Sequence, residues 1–106
     1  MLNLTDAEWE KLFDEVDKTV TKAQDDLPEP VRKEAEQIEV IVDKYQWPLD
    51  RWKYMKVLGC YMAWTNGPIA IFAGQIYEDC HQDMEGAMAS VRQVYYHELA
   101  HAIGDL

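Results

Sequence analysis

The sequence predicts an α+β fold, a small mixed sheet packed on helices, in one domain spanning residues 1–106. Three observations carry that prediction. Trp9, Leu12, Phe13, Val16 and Val20 recur at the spacing of one helix face. Three runs rich in β-branched and aromatic residues follow at 38–42, 57–64 and 69–73. The last stretch, from Asp83 onward, returns to a helical pattern with a broad apolar face.

The first helix is predicted over Asp6 to Asp25. Thr5 and Glu8 form a capping box, and Asp6 and Glu8 sit at the positive end of the helix dipole. Glu10, Lys11, Asp14, Asp17 and Lys18 form its solvated face. Leu27-Pro28-Glu29-Pro30 ends it and starts a short helix over Val31 to Gln37, because proline suits a first helical turn. Ile38 to Val42 reads as a strand. Asp43 to Lys53, with Trp47, Pro48 and Trp52, reads as a loop with a helical turn. Val57 to Trp64 and Ile69 to Ala73 read as two strands of a hairpin turning at Thr65-Asn66-Gly67, since Asn-Gly is a strong hairpin signal. Gly74 ends the second strand, and Gln75 to Gln82 reads as a loop or short helix. Met84, Ala87, Met88, Val91, Val94, Tyr95, Ala102 and Ile103 then line the apolar face of the last helix.

Composition excludes several function classes. Twenty acidic and ten basic residues give a net charge of −10, with a pI near 4.5. Affinity for nucleic acid comes largely from Lys and Arg, so no nucleic-acid partner is expected. Anionic membrane surfaces are disfavoured for the same reason. The N-terminus lacks a basic segment followed by an apolar one, and no apolar run approaches the roughly 18 residues of a membrane span. Cys60 and Cys80 are too few for a disulfide scaffold and are expected as free thiols in a reducing cytoplasm.

The chemistry concentrates near the C-terminus, in YYHELAHAIGDL. His97-Glu98-Leu99-Ala100-His101 is an H-E-x-x-H motif. Residues four apart share one helix face, so both imidazoles can reach one zinc ion at about 2.0–2.1 Å. Glu98, rotated by roughly 100° from His97, can lean over the open metal position without binding it. Zinc lowers the pKa of water, and the glutamate takes its proton and later passes it to a leaving amine. These residue types at this spacing answer the needs of metal-assisted peptide hydrolysis. Catalytic zinc takes three protein ligands, and Gly104 supplies a turn that can bring a third one back.

The chain resembles the minimal zincin-like metallopeptidases, small bacterial domains with H-E-x-x-H-x-x-G near their C-terminus. The resemblance spans about residues 6 to 106. Asp26 to Arg32 resembles that family's L-P-E-x-x-R segment, and Ile38 to Val42 its first strand. Leu58-Gly59-Cys60-Tyr61 resembles its L-G-x-Y, Pro68 to Gly74 its strand before the active helix, and Val91 to His101 its motif helix. The resemblance implies a zincin-like fold with a C-terminal active-site helix, zinc as cofactor, and a peptide or protein substrate. It also implies that Ile69, Ala70, Ile71, Phe72 and Ala73 form a sheet-edge strand that pairs with extended substrate. The segment between Tyr61 and Pro68 is shorter than is usual in the family. The family's acidic residue three positions after the glycine would fall one position past Leu106. Asp105 is the nearest carboxylate and the expected third ligand. The terminal carboxylate of Leu106, Glu78, Asp79 and His81 are further candidates.

Other residues read as structural. Cys80-His81 reads as a thiol and a surface imidazole rather than a nucleophile and base. Trp9, Trp47, Trp52 and Trp64 read as packing residues, with Trp47 and Trp52 also able to line a groove. The alternative to a peptidase is a zincin-fold binding or regulatory module with weak or no hydrolytic activity.

Overall fold

The computed structural model describes residues 2–63 and 67–104. Among these residues the order is α1 (Asp6–Asp25), α2 (Glu29–Ala35), β1 (Val40–Asp43), a 3-10 turn (Asp50–Trp52), β2 (Gly59–Tyr61), β3 (Ile69–Phe72), α3 (Ala73–Asp79) and α4 (Met84–Ala102). The architecture is α+β, with a three-stranded mixed sheet. No helix among the described residues is long and apolar enough to cross a membrane.

Helix α1 begins as its capping box dictates. Glu8 N–H donates to Thr5 Oγ1 at 3.2 Å, and Thr5 N–H donates to Glu8 Oε1 at 3.0 Å. Trp9, Leu12, Val16, Val20 and Ala23 are its buried stripe. Helix α2 starts two residues earlier than expected, with Pro28 as N-cap and Pro30 in the first turn. It also ends earlier, and the turn continues through Ile38, whose N–H bonds Ala35 O at 3.1 Å. Strand β1 therefore opens at Val40 rather than Ile38.

The sheet order is β1-β3-β2. Strands β1 and β3 are parallel, with Val40 opposite Ile69 and Asp43 opposite Phe72. Strands β2 and β3 are antiparallel, with Gly59 opposite Ile71 and Tyr61 opposite Ile69. The Thr65-Asn66 part of the expected hairpin turn, and Trp64, lie outside the described residues. Strand β2 is shorter than the expected 57–64. Before it, Val57 N–H bonds the side chain of Gln46 at 2.8 Å instead of a strand. After it, Gly67 N–H bonds Met62 O at 3.1 Å.

Both faces of the sheet are covered, as alternation along β3 requires. Ile69 and Ile71 face the main core of α1, α3 and α4. Ala70 and Phe72 face a second cluster with Trp52, Trp47, Leu49, Val57 and Cys60. Trp47 stacks on Trp52 at 6.1 Å, and both meet Phe72 edge-on. The two tryptophans are thus packing residues whose loop forms the sheet's second cover. Ala73 belongs to α3 rather than to the strand. Gly74 permits a close approach there: a Cβ on it would lie 2.3 Å from Lys44 O and 2.7 Å from the Trp9 ring.

Candidate metal centre and cleft

Helix α4 carries the motif and is held firmly. Asp83 caps it, accepting from Gly86 N–H at 3.1 Å. Ala87, Val91, Tyr95 and Leu99 form its buried stripe. Three polar ties then fix the turns around the motif to the end of α1. Gln24 Nε2 donates to Tyr95 Oη at 3.0 Å, Tyr96 Oη donates to Ala23 O at 2.7 Å, and Arg92 pairs with Asp26 at 2.9 Å.

With Tyr95 and Leu99 turned inward, the helical period puts His97 and His101 together on the exposed side. Their rings lie edge to face, with centroids 4.8 Å apart and Nε2 atoms 3.3 Å apart. Two ligands at about 2.05 Å from a tetrahedral zinc stand roughly 3.3–3.4 Å from each other. The pair therefore has the separation that one shared ion asks for, although an N–H···N contact between neutral imidazoles has a similar length. Among the described residues no three His, Cys, Asp or Glu side chains gather as a ligand set. Asp105, the expected third ligand, and Leu106, a further candidate, lie outside the described residues. Asp79, on α3, pairs instead with Lys56. His81 is an exposed turn residue with φ of 53°.

Glu98 is the one charged residue buried in the described part of the molecule, at 9% exposure. It points from α4 toward β2, where Gly59 has no side chain: a Cβ there would lie 3.7 Å from Glu98 Cγ. The glutamate and His97 together line a cleft of about 480 Å³. Helix α4 forms one wall, through Val94, His97 and Glu98. The chain entering β2 forms the other, through Met55, Val57, Leu58 and Gly59, with Lys56 and Gln93 completing the lining. Sequence reasoning named His97 and Glu98 but missed this second wall. Its signal was Gly59, a glycine inside a strand, which marks close backbone approach.

Strand β3 is not an edge. It is hydrogen-bonded to β1 on one side and β2 on the other, and Ile69, Ala70, Ile71 and Phe72 are fully buried. Its main chain has no row of unpaired groups to offer a substrate, so the expected role of Ile69 to Ala73 is corrected. Strand β2 is an edge, and it borders the cleft. Phe72 N–H donates to Leu58 O and Met62 N–H to Pro68 O, so even-numbered residues bond inward to β3. By antiparallel alternation, the N–H and C=O groups of Gly59 and Tyr61 turn away from β3.

Cys60 lies on β2, and its thiol is pushed above its ordinary pKa, first by burial and then by the Glu98 carboxylate. It is poorly suited to act as a nucleophile at neutral pH. Cys80 is an unpaired thiol at the end of α3, half-buried against the main core. Comparison of the chain with family models, with curated proteins and with solved structures gives no match.

Proposed function

We propose that this protein is a zinc-dependent metallopeptidase of the zincin-like type. The observation that carries the reading is the His97–His101 pair, with Nε2 atoms 3.3 Å apart, beside Glu98 in the wall of a cleft. His97 and His101 hold the metal, and Asp105, four residues beyond His101, is the proposed third ligand. Zinc held there supplies Lewis acidity, which lowers the pKa of water toward neutrality and polarises the scissile carbonyl.

The chain's own groups do the rest. Glu98 takes a proton from the attacking water and delivers it to the leaving amine. Its side chain is buried against β2, beside Gly59. The substrate is an extended peptide segment. Gly59 and Tyr61 offer it main-chain groups along the free edge of β2, in strand addition.

Zinc analysis on protein purified without chelator, beside His97→Ala, His101→Ala and Glu98→Gln, tests the proposal. Wild type and Glu98→Gln are expected to carry about one zinc per chain, and both histidine variants to lose it. Glu98→Gln is expected to cut peptide hydrolysis by about 100-fold or more. No zinc after loading and dialysis refutes the reading. Zinc uptake with no hydrolysis of any peptide favours the binding or regulatory module instead.

A further inference from the structure

The free edge of β2 leads from the cleft at Gly59 to a second cavity at Tyr61, which the proposed chemistry does not use. This cavity measures about 440 Å³, in the range of ligand sites. Gln37 and Glu39 line it ahead of β1, Pro68 ahead of β3, Tyr61 at the end of β2 and Ala102 in the last turn of α4. It therefore sits at one end of the sheet, next along α4 from His101. Its lining holds one charge, the exposed Glu39 carboxylate, and no base. Among the described residues that carboxylate has no ion-pair or hydrogen-bond partner, and neither has the Tyr61 hydroxyl or the Gln37 side-chain amide.

We infer that this cavity takes an arginine side chain of the substrate, its guanidinium paired with Glu39 and laid against the Tyr61 ring. The inference deepens the peptidase reading and rests on it for the word substrate. The Glu39 carboxylate, the Tyr61 hydroxyl and the Gln37 amide oxygen can all accept, which suits a cation rich in donors. The C-terminal end of α4 carries partial negative charge and favours a cation, as does the net charge of −10. A guanidinium answers these groups better than an ammonium. Its planar fork makes two bonds to one carboxylate, and it stacks on an aromatic face. A bare calcium ion is a poorer fit, since it takes about six to eight oxygen ligands and the lining offers one carboxylate. The position follows from the strand. Gly59 lies beside Glu98, and Tyr61 is two residues on, about 6.7 Å along a peptide paired with this edge. The arginine therefore stands about two residues from the bond that is cut.

The test is binding, so that it stands apart from turnover. The probes are three N-acetylated, C-amidated octapeptides of Gly, Ser and Thr, with a single central Arg, Lys or citrulline, the last being the neutral isostere of Arg. They are titrated into Glu98→Gln, with and without one equivalent of zinc, so that nothing is cut. The Arg peptide is expected to bind about tenfold more tightly than the citrulline peptide, and several-fold more tightly than the Lys peptide, in both samples. Adding Glu39→Gln, at an exposed position, is expected to bring the Arg-to-citrulline ratio near one. Adding Asp14→Asn, which removes an equal charge from the exposed side of α1, is expected to leave that ratio in place. No binding of any peptide, an Arg peptide that binds no better than either of the others, a ratio that survives Glu39→Gln, or one lost equally with Asp14→Asn overturns the inference. Arginine-selective binding by a protein that takes up no zinc keeps the cavity's role and refutes the peptidase. In zinc-loaded wild type, cuts scattered without regard to the arginine overturn the inference while leaving the peptidase standing.

Discussion

Replacing Gly59 with alanine tests how fold and site are joined. Propensity alone favours the change, because glycine in a strand costs roughly 0.5–1 kcal/mol against alanine. The structure reverses the sign. The new methyl would lie 2.6 Å from Val94 Cγ1 and 2.8 Å from Ala70 O, where ordinary contact begins at 3.4 Å. Val94 can turn aside in part. The Ala70 carbonyl is backbone of the central strand and cannot. Strand β2 and helix α4 must therefore separate by several tenths of an ångström. Overpacking of this kind costs about 1–3 kcal/mol. Set against the propensity gain, the net loss is up to about 2.5 kcal/mol and centred near 1, or a fall in Tm of roughly 4–8 °C at that centre for a domain of this size. Thermal melting followed by far-UV circular dichroism, with urea unfolding as a second measure, reads it directly. A Tm at or above wild type would show that β2 does not pack against α4 as described, and the cleft wall would go with it.

Two further outcomes are expected. His81 and Gln82 are consecutive non-glycine residues with φ of 53° and 61° in the turn between α3 and α4. The left-handed conformation costs an ordinary residue about 1–2 kcal/mol, so Gln82→Gly should raise Tm by a few degrees; a fall in Tm contradicts that turn. The Arg92 guanidinium beside Asp26 holds that carboxyl below its ordinary pKa, against a smaller opposing effect of desolvation. A depressed folded pKa means a contribution present above the unfolded value of about 3.9 and lost as pH falls through the folded one. Asp26→Asn should therefore be less stable than wild type near neutrality, with the difference closing below pH 4. A gap that persists unchanged at pH 2 contradicts the pair.

Legibility varied with how local the deciding physics is. The start of α1 was readable to the residue because Thr5 and Glu8 satisfy each other's backbone within one turn. The apolar pattern places the start of α4 only near Asp83, and the Asp83 side chain that accepts from Gly86 N–H fixes it. The bounds of β1 and β2 were read too long. Their β-branched flanks, Ile38 and Val57, have the right propensity, but their N–H groups are taken by Ala35 O and the side chain of Gln46. Helix α3 is not legible in its own segment, because it has no side-chain cap and depends on Gly74 meeting Lys44 and Trp9, residues far away in sequence.

The sequence by itself determined the chemistry on offer. H-E-x-x-H, set in an unbroken helical pattern, brings two imidazoles to one face, because helix geometry is local and repeats every 3.6 residues. Only the tertiary structure decided what faces that chemistry. Strand order is a matter of non-local pairing, and it made β3 central and gave the free edge beside the cleft to β2. Burial of Glu98, and a cleft wall opposite it, required α4 and β2 to meet at Gly59. That contact spans some forty residues of chain, and no periodicity within either segment encodes it.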